Sequence, residues 1–428
     1  GVTATFQNLI THTEFTLRAK YLVGMDGARS KVVEQLGLPL EGIMARAGTV
    51  YVTFKADLSK YVQHRPAILQ WIVNPEASFG DLGMGLLRAI TPWNEWIMGW
   101  GFDISKGEPQ VTEEQVRARL NTFVGVEVAD VEIQKLSYWY VNQTWATEYA
   151  KGRVFCGGDA VHRHPPSSGL GSNTCMQDAF NLGWKLAYAV KGWAAPTLLE
   201  SYTTERAPVG KQIVARANQS RFDYKHLKDV FGFDQGVTTQ KEMLDRIFAE
   251  DEQGAEIRQK LYQALEIKNF EFNAQGVELN QRYHSNAVIA ESEAEVFEKD
   301  EQLYLQATTR PGAKIPHIWL INRRGQKVST LDVTGKGRFT LLTGLSGQGW
   351  KIAAEALDLA YLDVTQVGSR DYRDVYGTWN KKSEIHESGA ILVRPDGYVA
   401  WRYQDSTNAI FDYENTLKAA LKQVQLTV

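Results

Sequence analysis

An acidic turn followed by a loop rich in glycine and proline is the part of this 428-residue sequence best suited to chemistry. Gly157 and Gly158 precede Asp159, and the loop 165–171 contains two prolines and two glycines. A carboxylate only accepts hydrogen bonds, while the start of a helix after such a loop offers unpaired backbone N–H groups. The spacing therefore predicts a cradle for a polyhydroxylated, electron-rich ligand. The alternative is that Asp159 only caps a turn.

Hydrophobic patterning predicts the elements that position this turn. Residues 154–156 form a short buried strand that the two glycines end, so Asp159 lies past its carboxyl end, where ligands bind in open α/β sheets. A helical period starts at Asn173, and Gly192 ends it as a C-cap. The apolar side of this helix is assigned to Met176, Ala179, Leu182 or Gly183, Leu186 and Val190.

A second acidic turn lies near the start of the sequence. Residues 21–24 form a buried strand, Asp26 and Gly27 follow it, and a short helix at 31–36 comes next. On one interpretation Asp26 and Ser30 are only helix caps. Strand-like alternation already begins at the first residue and predicts a hairpin. Because a protein does not normally begin inside a hairpin, we expect a preceding segment that this sequence does not contain.

Residues 42–141 are predicted to be mostly β, with one helix at 112–123. Several of the strands carry tryptophans, and alternate residues of a strand share one face. Two interpretations remain open: these side chains form the core of the sheet, or they wall an aromatic substrate pocket. The predicted pocket is lined by Trp71, Trp96, Met98 and Trp100 together with Pro165.

The last part of the sequence has a different pattern. Residues 196–217 are predicted to be a helix that Pro208 kinks or breaks, and residues 222–303 are polar and helical in character. Residues 308–317 have the proline and glycine content of a linker. A strand, a helix, a strand, a hairpin and a last helix then predict a thioredoxin-like domain at 313–428. This domain contains no cysteine, which excludes dithiol redox chemistry.

Composition excludes several classes of function. The formal net charge of -3 provides no basic field for nucleic acid or an anionic membrane, and no apolar run approaches the roughly 20 residues of a membrane span. Two cysteines cannot build a disulfide framework, so we expect a reducing, cytoplasmic compartment. His226 and His284 are isolated, so no metal site is predicted.

Residues 152–187 read GRVFCGGDAVHRHPPSSGLGSNTCMQDAFNLGWKLA. This stretch resembles the second FAD-binding motif of the flavin-dependent aromatic hydroxylases, the family of phenol and chlorophenol hydroxylases, and DGARS at 26–30 resembles their DG motif. The resemblance covers essentially the whole chain. It implies an α/β fold with a Rossmann-like FAD-binding domain, here incomplete, at 1–41 and 142–305. A mostly β substrate domain is inserted at 42–141, and the thioredoxin-like domain closes the chain.

The resemblance also implies an activity, a homodimer and a set of site residues. The activity is that of a monooxygenase that uses FAD, takes electrons from NADPH, and hydroxylates a phenolic ring in the ortho position with O2 through a flavin C4a-hydroperoxide. The cofactor carries this chemistry, and the protein positions it. Asp159 would accept hydrogen bonds from the ribityl chain, and helix N–H groups would face the ring where negative charge collects on reduction. The implied cofactor-binding residues are Gly158, Asp159, Asp26, Gly27, Pro165, Pro166, Gly169, Gly171, Ser172 and Asn173.

Some features depart from the family pattern. Ser168 stands where relatives have glycine, and no residue is predicted as the catalytic base. No GxGxxG fingerprint in a strand-turn-helix setting occurs here for the ADP half of FAD, so we expect the 428 residues alone neither to hold FAD tightly nor to hydroxylate. Two alternatives remain open: another flavin oxidoreductase, such as an epoxidase or oxidase, and a non-catalytic dimerisation or scaffold protein. The sequence does not choose among phenol, chlorophenol and larger phenols as substrate.

Overall fold

The computed structural model describes residues 1–77, 84–407 and 410–428. The chain begins with an antiparallel hairpin, then a short strand and a short helix, as the sequence pattern predicts. The helix is capped by Ser30 and ends at Gly37 in the left-handed conformation. These elements are β1 (Val2–Gln7), β2 (Glu14–Ala19), β3 (Leu22–Gly24) and α1 (Lys31–Leu36).

The middle of the chain forms most of an antiparallel sheet with one long helix packed on it. Its elements are β4 (Leu40–Lys55), α2 (Ser59–Val62), β5 (Leu69–Ile72), β6 (Gly85–Thr91), β7 (Glu95–Phe102), α3 (Glu113–Val124) and β8 (Glu132–Ala146). Long strands β4 and β8 pair along their length. The predicted domain boundaries at 41/42 and 141/142 fall inside these two strands.

A second, smaller sheet carries the acidic turns. The elements that follow are β9 (Ala150–Lys151), β10 (Val154–Cys156), β11 (His162–Arg163), α4 (Gly171–Lys191) and α5 (Ser201–Phe222). Strand β10 lies parallel to β3 and antiparallel to β9. Strand β11 instead pairs with β8 and completes a six-stranded sheet of order β11-β8-β4-β7-β6-β5. The few residues between β10 and β11 therefore connect the two sheets.

Two helix predictions need correction. Helix α5 runs through Pro208 without a break. Proline removes one backbone hydrogen bond, but the buried neighbours Ala207 and Val209 hold the helix in place. The helices after it are α6 (Tyr224–Phe231), α7 (Gln240–Ile247), α8 (Glu252–Asn273) and α9 (Gln275–Leu279). The helical prediction for 222–303 therefore fails after Leu279, since residues 280–305 contain neither helix nor strand.

The C-terminal unit contains a small three-stranded sheet and a four-stranded sheet of order β15-β14-β17-β18. In the larger sheet β14 and β15 are parallel and joined through a helix, whereas β17 and β18 form an antiparallel hairpin. Its elements are β12 (Trp319–Asn322), β13 (Lys327–Ser329), α10 (Thr330–Val333), β14 (Phe339–Thr343), α11 (Gln348–Leu357), β15 (Leu362–Gln366), β16 (Tyr372–Arg373), α12 (Thr378–Lys382), β17 (Ala390–Val393), β18 (Val399–Tyr403) and α13 (Tyr413–Gln423).

The C-terminal unit packs directly on helix α4. Trp184 and Tyr188 share a buried cluster with Phe339 of β14, in edge-to-face ring contacts. The predicted linker 308–317 is also packed: Ala313 is buried, and the Gly312 N–H donates to the carbonyl of Val399 at 2.8 Å. The predicted linker therefore packs against strand β18 of the C-terminal unit. None of the described helices combines the length and apolar character needed to cross a membrane.

Candidate functional site

The two acidic turns predicted from the sequence lie side by side. Cys156 at the end of β10 is in register with Gly24 at the end of β3, so Asp159 and Asp26 follow neighbouring parallel strands at the same edge. The Gly157 N–H donates to the carbonyl of Gly24 at 3.3 Å. Asp159 lies between β10 and β11, and therefore at the junction of the two sheets.

The Asp159 side chain is exposed at this junction. The Cys175 thiol lies 3.6 Å from its Oδ1 and donates to it, and the Arg163 guanidinium donates to its backbone carbonyl at 3.1 Å. Burial, together with the charge of Asp159, raises the pKa of Cys175 to about 12. The thiol therefore stays protonated and acts as a donor. The arrangement leaves an oriented, solvent-facing acceptor.

The loop after β11 leads directly into the start of α4. Ser168 has φ of 70° and Gly169 has φ of 63°, so both are left-handed, and the Ser168 hydroxyl bonds that of Ser220 at 2.9 Å. Pro165 is buried and Pro166 is exposed. The first N–H groups of α4, at Gly171, Ser172 and Asn173, have no carbonyl partner within the helix.

This donor and acceptor set fits FAD. The exposed carboxylate matches the hydroxyls of a ribityl chain, and N–H groups at a helix start match a ring that becomes negatively charged on reduction. Gly158 has φ of 62°, and a Cβ there would meet Cys175 Sγ at 3.2 Å, so the turn requires glycine. The residues of this turn and loop are the ones that would hold the cofactor.

Asp26 acts as a helix cap. Its carboxylate accepts the Lys31 N–H at 2.7 Å and the Ser30 hydroxyl, and Ser30 accepts the Val33 N–H at 3.0 Å. The interpretation of Asp26 and Ser30 as caps is confirmed. Gly27 beside them has φ of 80°, as a tight strand-to-helix turn requires.

The helix α4 and its Gly192 cap are confirmed, but its predicted apolar side is wrong in part. Leu182 is buried and Leu186 packs against the same core cluster, whereas Met176, Ala179, Gly183 and Val190 are exposed. The buried side also carries a polar stripe in which charged groups pair with opposite charges on neighbouring elements. This stripe consists of Asp178, Asn181 and Lys185.

Sequence reasoning missed the role of this stripe. Asp178 accepts the Gly158 N–H and the His162 imidazole, and it pairs with Arg206 of α5. Lys185 pairs with Glu205 of the same helix. The spacing of three, four and seven residues between Asp178, Asn181 and Lys185 was the available signal, because it places all three on one helix face.

Asp159, His162 and Cys175 come close enough together to suggest a metal site, with possible ligand atoms within 4.8 Å of one another. In the structure the three groups take part in hydrogen bonds: His162 Nε2 is bonded to Asp178 at 2.8 Å, and the Cys175 thiol donates to Asp159 at 3.6 Å.

Trp96, Met98 and Trp100 share a face of β7 as predicted, but this face is not the wall of a pocket. All three are buried against α3 in a cluster with Leu120 and Phe123. The period of two residues identifies which side chains share a face, but it does not say which face the helix covers. The pocket prediction for these three residues is therefore corrected, and the core interpretation holds.

The opposite face of the sheet is half open. Tyr51 and Leu86 flank Gly99, and Ile97 and Trp139 lie on the same side. Helix α5 covers one end of this face, where the Lys211 amine lies 5.2 Å from the centre of the Trp145 ring. Helix α6 covers the other end, where the ring centres of Trp71 and Tyr224 are 4.6 Å apart. Trp71 is the one predicted sheet residue that lies on this face.

Comparison with known proteins agrees with this architecture. A family model described as FAD binding domain matches residues 1–217, and one described as aromatic-ring hydroxylase, C-terminal, matches residues 308–425. The chain is 44% identical to 2,4-dichlorophenol 6-monooxygenase of Delftia acidovorans, covering 99% of this chain and 73% of that protein. It is 42% identical to phenol 2-monooxygenase of a Pseudomonas species, covering 96% of this chain and 68% of that protein.

A solved structure shows the same fold. The flavin-dependent monooxygenase PieE, determined in complex with FAD and substrate, superposes with a TM-score of 0.89 at 40% identity, over 99% of this chain and 73% of PieE. The turn, the glycine loop and the helix start described above lie within the matched FAD-binding region. The chain belongs to the family of FAD-dependent aromatic-ring hydroxylases.

Proposed function

We propose that this protein hydroxylates a phenolic ring ortho to its existing hydroxyl, with NADPH as electron donor and O2 as oxidant. The names of two relatives support the position of attack, because carbon 2 of phenol and carbon 6 of 2,4-dichlorophenol both adjoin the carbon that bears the hydroxyl. The reaction balances: phenol, NADPH, a proton and O2 give catechol, NADP+ and water.

The observation that carries the proposal is the position of the exposed Asp159 carboxylate between the two sheets, beside the start of α4. Bound FAD would supply the redox chemistry by accepting a hydride and activating O2. Asp159 would accept hydrogen bonds from the ribityl hydroxyls, and the first N–H groups of α4 would donate to the ring. Pro165 and Pro166 would contact the ring, and Gly158 and Gly169 allow the backbone its left-handed turns. Asp26 and Gly27 would bind on the dinucleotide side of the cofactor.

The half-open sheet face is the proposed site of the aromatic substrate. Its side chains are Tyr51, Leu86, Ile97 and Trp139, with Trp71 at one end. Burial raises the pKa of Tyr51, so its hydroxyl stays protonated at neutral pH and can donate to a phenol oxygen. Pro165 on the flavin loop is the proposed boundary of this pocket toward the cofactor.

The C-terminal unit is proposed to be thioredoxin-like and structural. A parallel β-α-β unit followed by an antiparallel hairpin and a last helix, in the order β15-β14-β17-β18, is the arrangement on which this rests. The domain division 1–41 with 142–305, 42–141 and 313–428 is kept as part of the proposal. Its first two boundaries fall inside β4 and β8, so these two strands would be shared between the first two domains. A homodimer and a cytoplasmic location complete the proposal, supported by the family resemblance and the low cysteine content.

The test is product analysis with the full-length protein loaded with FAD, together with NADPH, oxygen and either phenol or 2,4-dichlorophenol. The expected result is an ortho-hydroxylated product in step with NADPH oxidation. If NADPH oxidation yields hydrogen peroxide and no hydroxylated ring with either substrate, the chain is instead a flavin oxidase. Light scattering tests the dimer, for which a mass near 48.2 kDa would be the contrary result.

A further inference from the structure

Asp178 is a fully buried carboxylate on which three donors converge. Its Oδ2 accepts the Gly158 N–H at 3.0 Å and the His162 Nε2 proton at 2.8 Å. Its Oδ1 accepts from Arg206 Nε at 2.7 Å. Hydrogen bonds to an ionised acceptor are stronger than neutral ones, so the backbone at Gly158 is held firmly.

The charge balance keeps this carboxylate ionised. Burial alone would raise the pKa of Asp178, but Arg206 and the hydrogen bond from His162 outweigh it and lower the pKa. Arg206 is itself fully buried and donates to Gln281 at 3.1 Å and to Tyr283 at 2.9 Å. The hydrogen bonds to Gln281 and Tyr283 hold Arg206 in place, so the Asp178–Arg206 pair is a fixed anchor for the Gly158 amide.

The amide that this anchor holds is next to the proposed flavin contact. Gly158 immediately precedes Asp159. A glycine can adopt many backbone conformations besides its φ of 62°, and the hydrogen bond from its N–H to Asp178 restricts that freedom. Asp178 is also part of α4, seven residues after Gly171, where that helix begins. One carboxylate therefore ties the turn that offers the acceptor to the helix that offers the donors.

We propose that Asp178 is a positioning residue for the flavin: it sets the distance and direction between the Asp159 carboxylate and the N–H groups at the start of α4. This inference rests on the proposed function, because it requires the flavin to contact Asp159. A purely structural ion pair would stabilise the fold without affecting the flavin.

The test compares Asp178→Asn with Glu205→Gln in the full-length protein. Glu205 is a matched control because it is also fully buried and paired, with Lys185 and Arg394. Its other hydrogen bonds within the described residues are to Asn181 and Ser285, and not to the turn 157–159. Two quantities are measured: the FAD dissociation constant, from flavin fluorescence, and hydrogen exchange of the Gly158 amide without flavin. We expect Asp178→Asn to raise the dissociation constant about tenfold or more, and Glu205→Gln to change it by less than about twofold under conditions in which both variants are folded. The Gly158 amide should exchange faster in Asp178→Asn than in Glu205→Gln, although both substitutions remove a buried ion pair.

Several results would overturn the proposal. Equal effects of the two substitutions on FAD affinity would leave only a stabilising role. If Asp178→Asn does not fold, the unsubstituted protein still decides, because a Gly158 amide that exchanges as fast as an exposed loop is not anchored. The substitution Asp159→Ala distinguishes failure of the positioning role from failure of the proposed flavin site. If Asp159→Ala weakens FAD binding and Asp178→Asn does not, only the positioning role of Asp178 is wrong. If Asp159→Ala leaves the FAD affinity unchanged, both the proposed flavin site and the positioning role are wrong.

Discussion

Glu205 and Arg394, which are 189 residues apart in the sequence, form a fully buried two-pronged ion pair with nitrogen-oxygen distances of 2.6 and 2.9 Å. Glu205 also accepts from Lys185 at 2.7 Å, and Arg394 also pairs with Asp396. These contacts join α4 and α5 to the hairpin of the C-terminal sheet. Buried charges therefore fasten the C-terminal unit to the part of the chain that carries the flavin turn.

Removing the Glu205 charge is expected to destabilise the whole protein. Glu205→Gln leaves Lys185 and Arg394 with one carboxylate between them, and breaking a buried pair in this way costs about 3–5 kcal/mol. Urea unfolding measures the loss. The control is Glu414→Gln, since the exposed pair of Glu414 with Lys418 is worth less than about 1 kcal/mol. Equal stability of the two variants would mean that the buried ion pairs of Glu205 do not stabilise the protein.

The same pair predicts a pH dependence. Burial alone would raise the pKa of Glu205, but Arg394 and Lys185 outweigh it and hold the pKa well below the ordinary 4.5. A carboxyl whose folded pKa is depressed contributes stability that is present above pH 4.5 and is lost as the pH falls. The difference in unfolding free energy between the unsubstituted protein and Glu205→Gln should therefore shrink by about 1 kcal/mol between pH 7 and pH 3.5. A difference that is constant over this range would contradict the assignment.

Ser168 provides a test of the flavin loop. Its left-handed backbone is unfavourable for any residue with a Cβ, but its hydroxyl gains the bond to Ser220. Ser168→Gly loses the hydrogen bond to Ser220 but also removes the unfavourable left-handed conformation of a residue with a Cβ. Because the two effects oppose each other, we expect little change in stability. Ser168→Ala loses the bond and keeps the strain, so it should be less stable than Ser168→Gly by about 1 kcal/mol. Thermal unfolding of the two variants gives the order, and the reverse order would rule out this account of the loop.

The two faces of the six-stranded sheet should respond differently to the same substitution. Trp96 is buried against α3, so Trp96→Leu is expected to lower stability by about 2–4 kcal/mol and to leave the KM for phenol unchanged. Trp139 lies on the half-open face, so Trp139→Leu should shift the KM with a smaller loss of stability. Steady-state kinetics and urea unfolding of both variants decide. A shift in KM only for Trp96→Leu would restore the pocket that the structure rejects.

Local features of the fold could be predicted from the sequence because they depend on neighbouring residues. The Val154–Cys156 strand, the helix Lys31–Leu36 with its Gly37 end, and the Gly192 cap all follow from short patterns of apolar residues and glycine. Motif resemblance added the family, which the comparisons confirm.

What could not be predicted depends on partners that are distant in the sequence. Asp178 lies on the buried side of α4 while Met176 is exposed, contrary to the expectation for that turn, because Arg206 supplies the opposite charge from another helix. Trp96 faces α3 rather than a pocket for a similar reason, since alternation along a strand does not reveal which side another element covers.

The most direct test of the central claim is an experimental structure of the protein with FAD bound. The account predicts ribityl oxygens within hydrogen-bond distance of the Asp159 carboxylate, and the flavin ring against the N–H groups of Gly171, Ser172 and Asn173 on the side of the half-open sheet face. A structure in which FAD binds elsewhere, with Asp159 contacting only protein and water, would contradict it.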